Sequence, residues 1–187
     1  PSLANYTKDL VSENLYVGSY LSLAVLTFIP TFLFLFYESK TIIEENINYT
    51  GRSYLELIAQ PKFIQAVTAS AFGYAIMTFL MTATPISMHV MENMSFSETG
   101  IVIQFHVAAM FLPSLITGHL IKKFGHTNVI YTGIFFYSIT LLISIFDQTF
   151  SNYMFALIFL GLGWNFLFIS GTSLLVLTYR ENEKYKV

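Results

Sequence analysis

Five long stretches without a charged residue make up most of this chain, and its basic residues sit in every second gap between them. The stretches are Val17–Tyr37, Phe63–Met88, Gly100–Ile121, Val129–Phe146 and Tyr153–Tyr179. Each approaches or exceeds the roughly 18–20 apolar residues a helix needs to cross about 30 Å of hydrocarbon. Lys40, Arg52 and Lys62 follow the first stretch, Lys122 and Lys123 the third, and Arg180, Lys184 and Lys186 the fifth. The other two internal gaps carry only Glu92, Glu98 and Asp147, and Lys8 alone breaks the alternation. Because cytoplasmic loops retain basic residues, this pattern predicts an orientation. The first span runs from outside to inside, and residues 38–62, 122–128 and 180–187 are expected in the cytoplasm.

The pattern excludes several classes of function. With 55% hydrophobic and 11% charged residues, the chain reads as a membrane protein of all-α, polytopic class, its main partner the lipid bilayer. A formal net charge of -2 gives no basic face for nucleic acid. Without cysteine there is no thiolate ligand or nucleophile. No carboxylate lies within a span, which argues against an embedded protease, a zinc hydrolase or any enzyme. No histidine pair has metal-ligand spacing with a carboxylate, and no cofactor motif is present. Pro1 in place of Met, together with an odd number of spans, leads to the expectation of a piece of a larger protein whose other helices are missing.

The chain divides at its one long polar gap. Residues 1–37 are read as an outer loop and a span containing Pro30, residues 38–62 as a linker, and residues 63–187 as four further spans. Within the linker, the stretch from Ser53 suits a short amphipathic helix at the inner surface. Pro61 suits the first turn of the next helix. Ser95 and Glu98 have the Ser-x-x-Glu spacing of a capping box. Short loops make the last four spans antiparallel neighbours.

Candidate functional residues lie within three spans. In the second, Ser70, Tyr74, Thr78, Met81 and Pro85 share a face that can line a substrate path or pack against another helix. Pro85 can also mark a bend. In the third, His106 is the only ionisable side chain deep in a span, which suits a proton or substrate pathway, or a neutral tie between helices. It shares a face with Met110, Pro113 and Thr117, and Gln104 points nearly opposite. In the fifth, Trp164 offers a stacking surface and Asn165 needs a polar partner, as substrate contacts or as interhelical glue. Gly161, Asn165, Phe168 and Thr172 share one face, and Gly163 and Ser170 share another that permits a close backbone approach.

The loop Gly118-His-Leu-Ile-Lys-Lys-Phe-Gly125 resembles the Gly-x-x-x-Asp-Arg/Lys-x-Gly loop of the major facilitator superfamily. Gly118, Lys123 and Gly125 match. Lys122 replaces the family's Asp, and His126, Thr127 and Asn128 replace further basic residues, as in the weaker copy of the second half. The family's loop is cytoplasmic, the side the charge pattern indicates independently. The resemblance implies helices six to ten of a twelve-helix transporter, with residues 38–62 between the halves and alternating access around a midplane site. It also implies a small-molecule substrate, with a proton as candidate co-substrate, in a bacterial cytoplasmic membrane. Gly118, Lys123 and Gly125 would then serve conformational switching, and Tyr74, Thr78, Gln104, His106, Trp164 and Asn165 substrate or proton contact. Gln104-Phe-His106, Gly118-His-Leu-Ile and Gly161-Leu-Gly-Trp-Asn-Phe166 are similar to a branch of bacterial permeases that includes riboflavin transporters. The alternative class is a polytopic scaffold or assembly subunit without transport activity.

Overall fold

The computed structural model describes residues 2–11, 16–37 and 51–187, which are mostly helical, with no strand among them. The chain forms two separately packed units, residues 1–48 and 49–187. Most of the expected linker, residues 38–50, lies outside the described residues.

In the first unit, α1 (Ser2–Thr7) packs on α2 (Val17–Phe34). The Ser19 hydroxyl donates to the Ala4 carbonyl at 2.8 Å. Gly18 is buried because the α1 end approaches so closely that a Cβ would collide with the Thr7 carbonyl. The rest of α2 exposes aliphatic and aromatic side chains on all sides, as expected for a span with lipid or partner helices around it.

The second unit begins with α3 (Tyr54–Ile58), the short helix expected from Ser53 onward. Ser53 and Glu56 close a capping box at its start. The long helix α4 (Pro61–Ile86) follows, with Pro61 in its first turn, where a missing N–H is harmless. One residue past Pro85 it widens into a π-helical turn, Ser87–Met91. Next come α5 (Phe96–Phe111), α6 (Ser114–Phe124), α7 (His126–Ser144) and α8 (Phe150–Val176). A 3-10 turn, Glu181–Lys186, ends the chain. The capping box at Ser95 and Glu98 forms as expected: Ser95 Oγ accepts from the Glu98 amide, and the Glu98 carboxylate accepts from the Ser95 amide.

Among the described residues, four helices are long and apolar enough to cross a membrane, and the α5–α6 pair makes a fifth if it is one bent span. The third span is therefore not continuous. It bends by 40° between Phe111 and Ser114, where Pro113 has no N–H to offer the preceding turn.

The centre of this unit is α8. It carries the largest buried surface of any helix, with α4, α5 and α7 packed around it. Each neighbour turns a stripe of three- and four-residue spacing toward it. These are Ala66, Ala69, Gly73, Met77 and Thr84 on α4, Thr99, Val102, His106 and Met110 on α5, and Ile130, Gly133, Tyr137 and Thr140 on α7. Glycines set the close approaches. A Cβ on Gly161 would lie 2.7 Å from the His106 carbonyl oxygen, and one on Gly163 would lie 3.0 Å from the Gly133 carbonyl oxygen. Gly171 meets α4 in the same way at Ala66 and Ser70. Hydrogen bonds fix the register: the Tyr137 hydroxyl donates to the Gly73 carbonyl at 2.6 Å, and Thr140 donates to the Ala156 carbonyl at 3.2 Å. The packed stripe of α4 is offset by about one residue from the one read in the sequence, so Tyr74 and Thr78 are exposed.

Candidate functional site

His106 is fully buried against α8, with its Nδ1 2.8 Å from the Leu157 carbonyl oxygen. A carbonyl can only accept, so Nδ1 carries a proton. In the neutral ring Nε2 is then a bare acceptor, and it is buried without a hydrogen-bond partner among the described residues. The side chain thus ties α5 to α8 and still keeps one nitrogen able to accept a proton.

Asn165 lies beside the bend of the third span and is also fully buried. Its Nδ2 donates to the Met110 carbonyl at 2.6 Å and to Ser114 Oγ at 2.7 Å. Its Oδ1 accepts from Thr117 Oγ1 at 2.6 Å. A break in a helix leaves carbonyls without their amide partners; one side chain from α8 donates to the Met110 carbonyl before this break and bonds the Ser114 and Thr117 hydroxyls after it. With both N–H groups engaged, Asn165 fastens α8 to both arms of the bend.

Trp164 points elsewhere. Its ring stacks on Phe168 with centroids 5.0 Å apart and planes 10° apart. Phe168 meets Tyr74 of α4 at 6.1 Å, and Trp164 meets Phe111 of α5 edge-on at 6.1 Å. The result is a row of four rings, Phe111–Trp164–Phe168–Tyr74, spanning three helices. Its ends are open, with Phe111 59% and Tyr74 52% exposed. Thr78 is exposed one turn along α4 from Tyr74. Trp164 Nε1 is buried without a partner among the described residues, an unused donor within the row.

The six residues singled out in the sequence do not converge on one point. Tyr74 and Trp164 join the aromatic row. His106 and Asn165 fasten α8 to α5 and α6. Gln104 is half-buried on α5. Sequence reasoning missed Phe111 and Ser114. The available signals were the Trp164–Phe168 spacing of one helical turn and the proline between Phe111 and Ser114.

At the end where most of the basic residues lie, Gly118 is exposed and a Cβ there would meet nothing within 4 Å. No packed helix therefore explains this glycine within the unit. Gly125 does have a local reason: it joins α6 to α7 at φ 82° and ψ 158°, a conformation that L side chains rarely adopt. Lys123, in the last turn of α6, rests 5.1 Å from the Phe124 ring centroid. Nearby, Gln65 Nε2 donates to Thr127 Oγ1 at 3.1 Å, and His126 bonds Ser173 at 3.2 Å.

A second feature here was not read from the sequence. Arg52, just before α3, forms a two-pronged ion pair with Glu183 in the final 3-10 turn, Nη2 to Oε2 at 2.6 Å and Nε to Oε1 at 2.9 Å. The backbone amides of Arg52 and Arg180 add donors to the same carboxylate, and Lys186 Nζ donates to the Arg52 carbonyl. The Arg52 guanidinium holds the Glu183 carboxyl well below the usual carboxylate range. No group of His, Asp and Glu among the described residues could hold a metal ion.

No family model and no solved structure matches the chain. Curated relatives do. The chain is 37% identical over its whole length to the riboflavin transporter RfnT of Brucella anthropi. It is also 42% identical over 104 residues, 54% of the chain, to the uncharacterized MFS-type transporter YddS of Bacillus subtilis. That relative's name places it in the major facilitator superfamily, the family whose loop the stretch Gly118–Gly125 resembles. A second Bacillus subtilis member, the uncharacterized MFS-type transporter YdeG, is 36% identical over 119 residues, 60% of the chain. Its apolar helices, together with these transporter relatives, make it an integral membrane protein. The chain spans about half the length of the Brucella relative, 47%, and 23% and 26% of the two Bacillus proteins.

Proposed function

We propose that this chain is part of a secondary transporter that moves a small, planar aromatic solute across a bacterial cytoplasmic membrane by alternating access. The carrying observation is the row Phe111–Trp164–Phe168–Tyr74, open at both ends and containing an unused indole donor. An aromatic solute can stack against the exposed rings at the two ends of the row, Phe111 and Tyr74. The name of the Brucella relative makes riboflavin, a planar heteroaromatic, the first solute to test.

In this reading Tyr74, Thr78 and Trp164 contact the solute, and Gln104 belongs to the same path. His106 Nε2 is the candidate proton acceptor, and Asn165 keeps the bent α5–α6 span in register with α8. Residues 38–62, 122–128 and 180–187 face the cytoplasm on the charge pattern. Gly118, Lys123 and Gly125 act in switching between states, where the open surface at Gly118 leaves room for another helix to approach. Residues 1–37 belong to the amino-terminal half, 38–62 to the junction and 63–187 to the carboxy-terminal half. Rocking of the halves exposes the site to each side in turn.

The test is uptake by the complete gene product in proteoliposomes, against a panel of flavins, purines, sugars and amino acids. Saturable uptake confined to planar heteroaromatics supports the reading. Uptake of sugars or amino acids alone, or of nothing, defeats it.

A further inference from the structure

Away from the aromatic row, a small cavity of about 40 Å³ opens between α4, α7 and α8, beside the loop that precedes α8. Its polar lining comes from Thr84, Thr140, Ser144, Gln148, Asn152 and Tyr153. Thr84, Thr140 and Tyr153 are buried, and Ser144 and Gln148 form an exposed rim.

The hydrogen bonds of these groups determine what the cavity can receive. Thr84 Oγ1 donates to the Leu80 carbonyl at 2.8 Å, and Ser144 Oγ donates to the Thr140 carbonyl at 2.8 Å. Thr140 Oγ1 lies 3.1 Å from the Phe136 carbonyl and 3.2 Å from that of Ala156, so its one proton is engaged as well. Gln148 Nε2 donates to the Ser144 and Phe146 carbonyls, both at 3.2 Å. A hydroxyl has one proton, and a carbonyl cannot donate. These side chains therefore retain only oxygen lone pairs: three hydroxyl oxygens and the Gln148 Oε1. Asn152 adds another amide oxygen, its Nδ2 donating to the Asp147 carbonyl.

The four oxygens without a free proton, on Thr84, Thr140, Ser144 and Gln148, suit a hard cation, beside Asn152, Tyr153 and the apolar Leu80, Ile143, Ala156 and Leu157. No carboxylate lines it, so a divalent ion would lack the charge compensation it needs, whereas a monovalent ion would not. The helix ends nearly offset each other. The negative end of α7 lies at the cavity, and so does the start of α8, where Thr149 Oγ1 accepts from the Asn152 amide. Asp147, in the adjoining loop, adds a negative charge outside the lining.

We propose that this cavity is a binding site for a small monovalent cation, with sodium as the probe. Such an ion would join the last turn of α4 to α7 and α8. It would do so just before Pro85 and the π-helical turn, where Ser87 also bonds the Tyr153 hydroxyl at 2.7 Å.

The test is thermal unfolding of the purified complete gene product as sodium chloride replaces choline chloride at constant ionic strength. It needs no transport activity, so its result is separate from that of the uptake assay. A saturable rise in Tm with sodium is expected, with a half-saturating concentration at least tenfold higher in Thr140→Val and Ser144→Ala. Identical curves in the two salts mean that water alone fills the cavity, and the proposal falls. A sodium effect unchanged in both variants also overturns it, because the ion then binds elsewhere. If the variants do not fold, the sodium titration of the parent protein still decides.

Discussion

Asn165 of α8 donates its side-chain amide to the Met110 carbonyl at 2.6 Å, immediately before the bend that divides the third span. The same side chain reaches Ser114 and Thr117 beyond the bend. Interhelical side-chain bonds in membrane proteins average about 0.6 kcal/mol and reach about 1.7. Asn165→Leu removes three of them and is expected to destabilise the protein by about 2–4 kcal/mol. Denaturant unfolding of the purified gene product measures the loss, and hydrogen exchange should locate the loosening around residues 111–117. A loss below about 0.5 kcal/mol would show that the bend holds itself.

Gly163 and Gly118 should respond in opposite ways. A side chain at Gly163 runs into the Tyr137 ring and the Gly133 backbone, so Gly163→Val should abolish the folded protein in membranes. A Cβ at Gly118 meets nothing, so Gly118→Ala should leave Tm within a degree or two. If Gly118 serves the transport cycle, uptake falls in that variant even though stability does not. Immunoblot abundance combined with uptake separates the two effects.

Gly125 tests the turn itself. At φ 82° a Cβ is strained, and Gly125→Ala should cost about 1–3 kcal/mol. This is measured as a lowered denaturant midpoint with an unchanged slope.

The Arg52–Glu183 clamp gives a pH dependence with a definite sign. Pairing lowers the folded-state pKa of Glu183 below its ordinary value near 4.5, so its contribution is fully present above that value. It is lost as pH falls through the carboxylate range and below. Limited proteolysis of the carboxy-terminal tail should therefore accelerate on acidification in the parent protein. In Glu183→Gln it should be fast already at neutrality and nearly independent of pH through the acid range where the parent changes, below about 4.5. A flat profile in the parent would mean that the clamp does not secure the tail.

What was legible in the sequence was local. Ser95–Glu98 and Pro61 act within one helical turn, and the structure places both as the spacing suggests. The glycines of α8 were legible because small residues in an apolar helix have few other uses. The bend at Pro113 was not, since membrane helices often pass through proline unbroken, and here the partner that supports the break, Asn165, lies on another helix. The clamp was not legible either, because Glu183 lies 131 residues from Arg52 in a tail that reads as basic. The offset of the α4 stripe has a similar cause. Tyr74 and Thr78 suit a packed face as well as an open one, and the small residues Ala66, Ala69 and Gly73 allow α8 to come closer.

In the proposed function the aromatic row holds the transported solute. The most direct test is riboflavin uptake by the complete gene product, parent against Phe168→Ala, at matched abundance in proteoliposomes. Phe168 is only partly buried and stacks on both Trp164 and Tyr74. The account predicts saturable uptake by the parent and at least a tenfold lower uptake efficiency in the variant, in line with about 1–1.5 kcal/mol or more for lost stacking and apolar contact. Parent uptake that survives Phe168→Ala unchanged would contradict it.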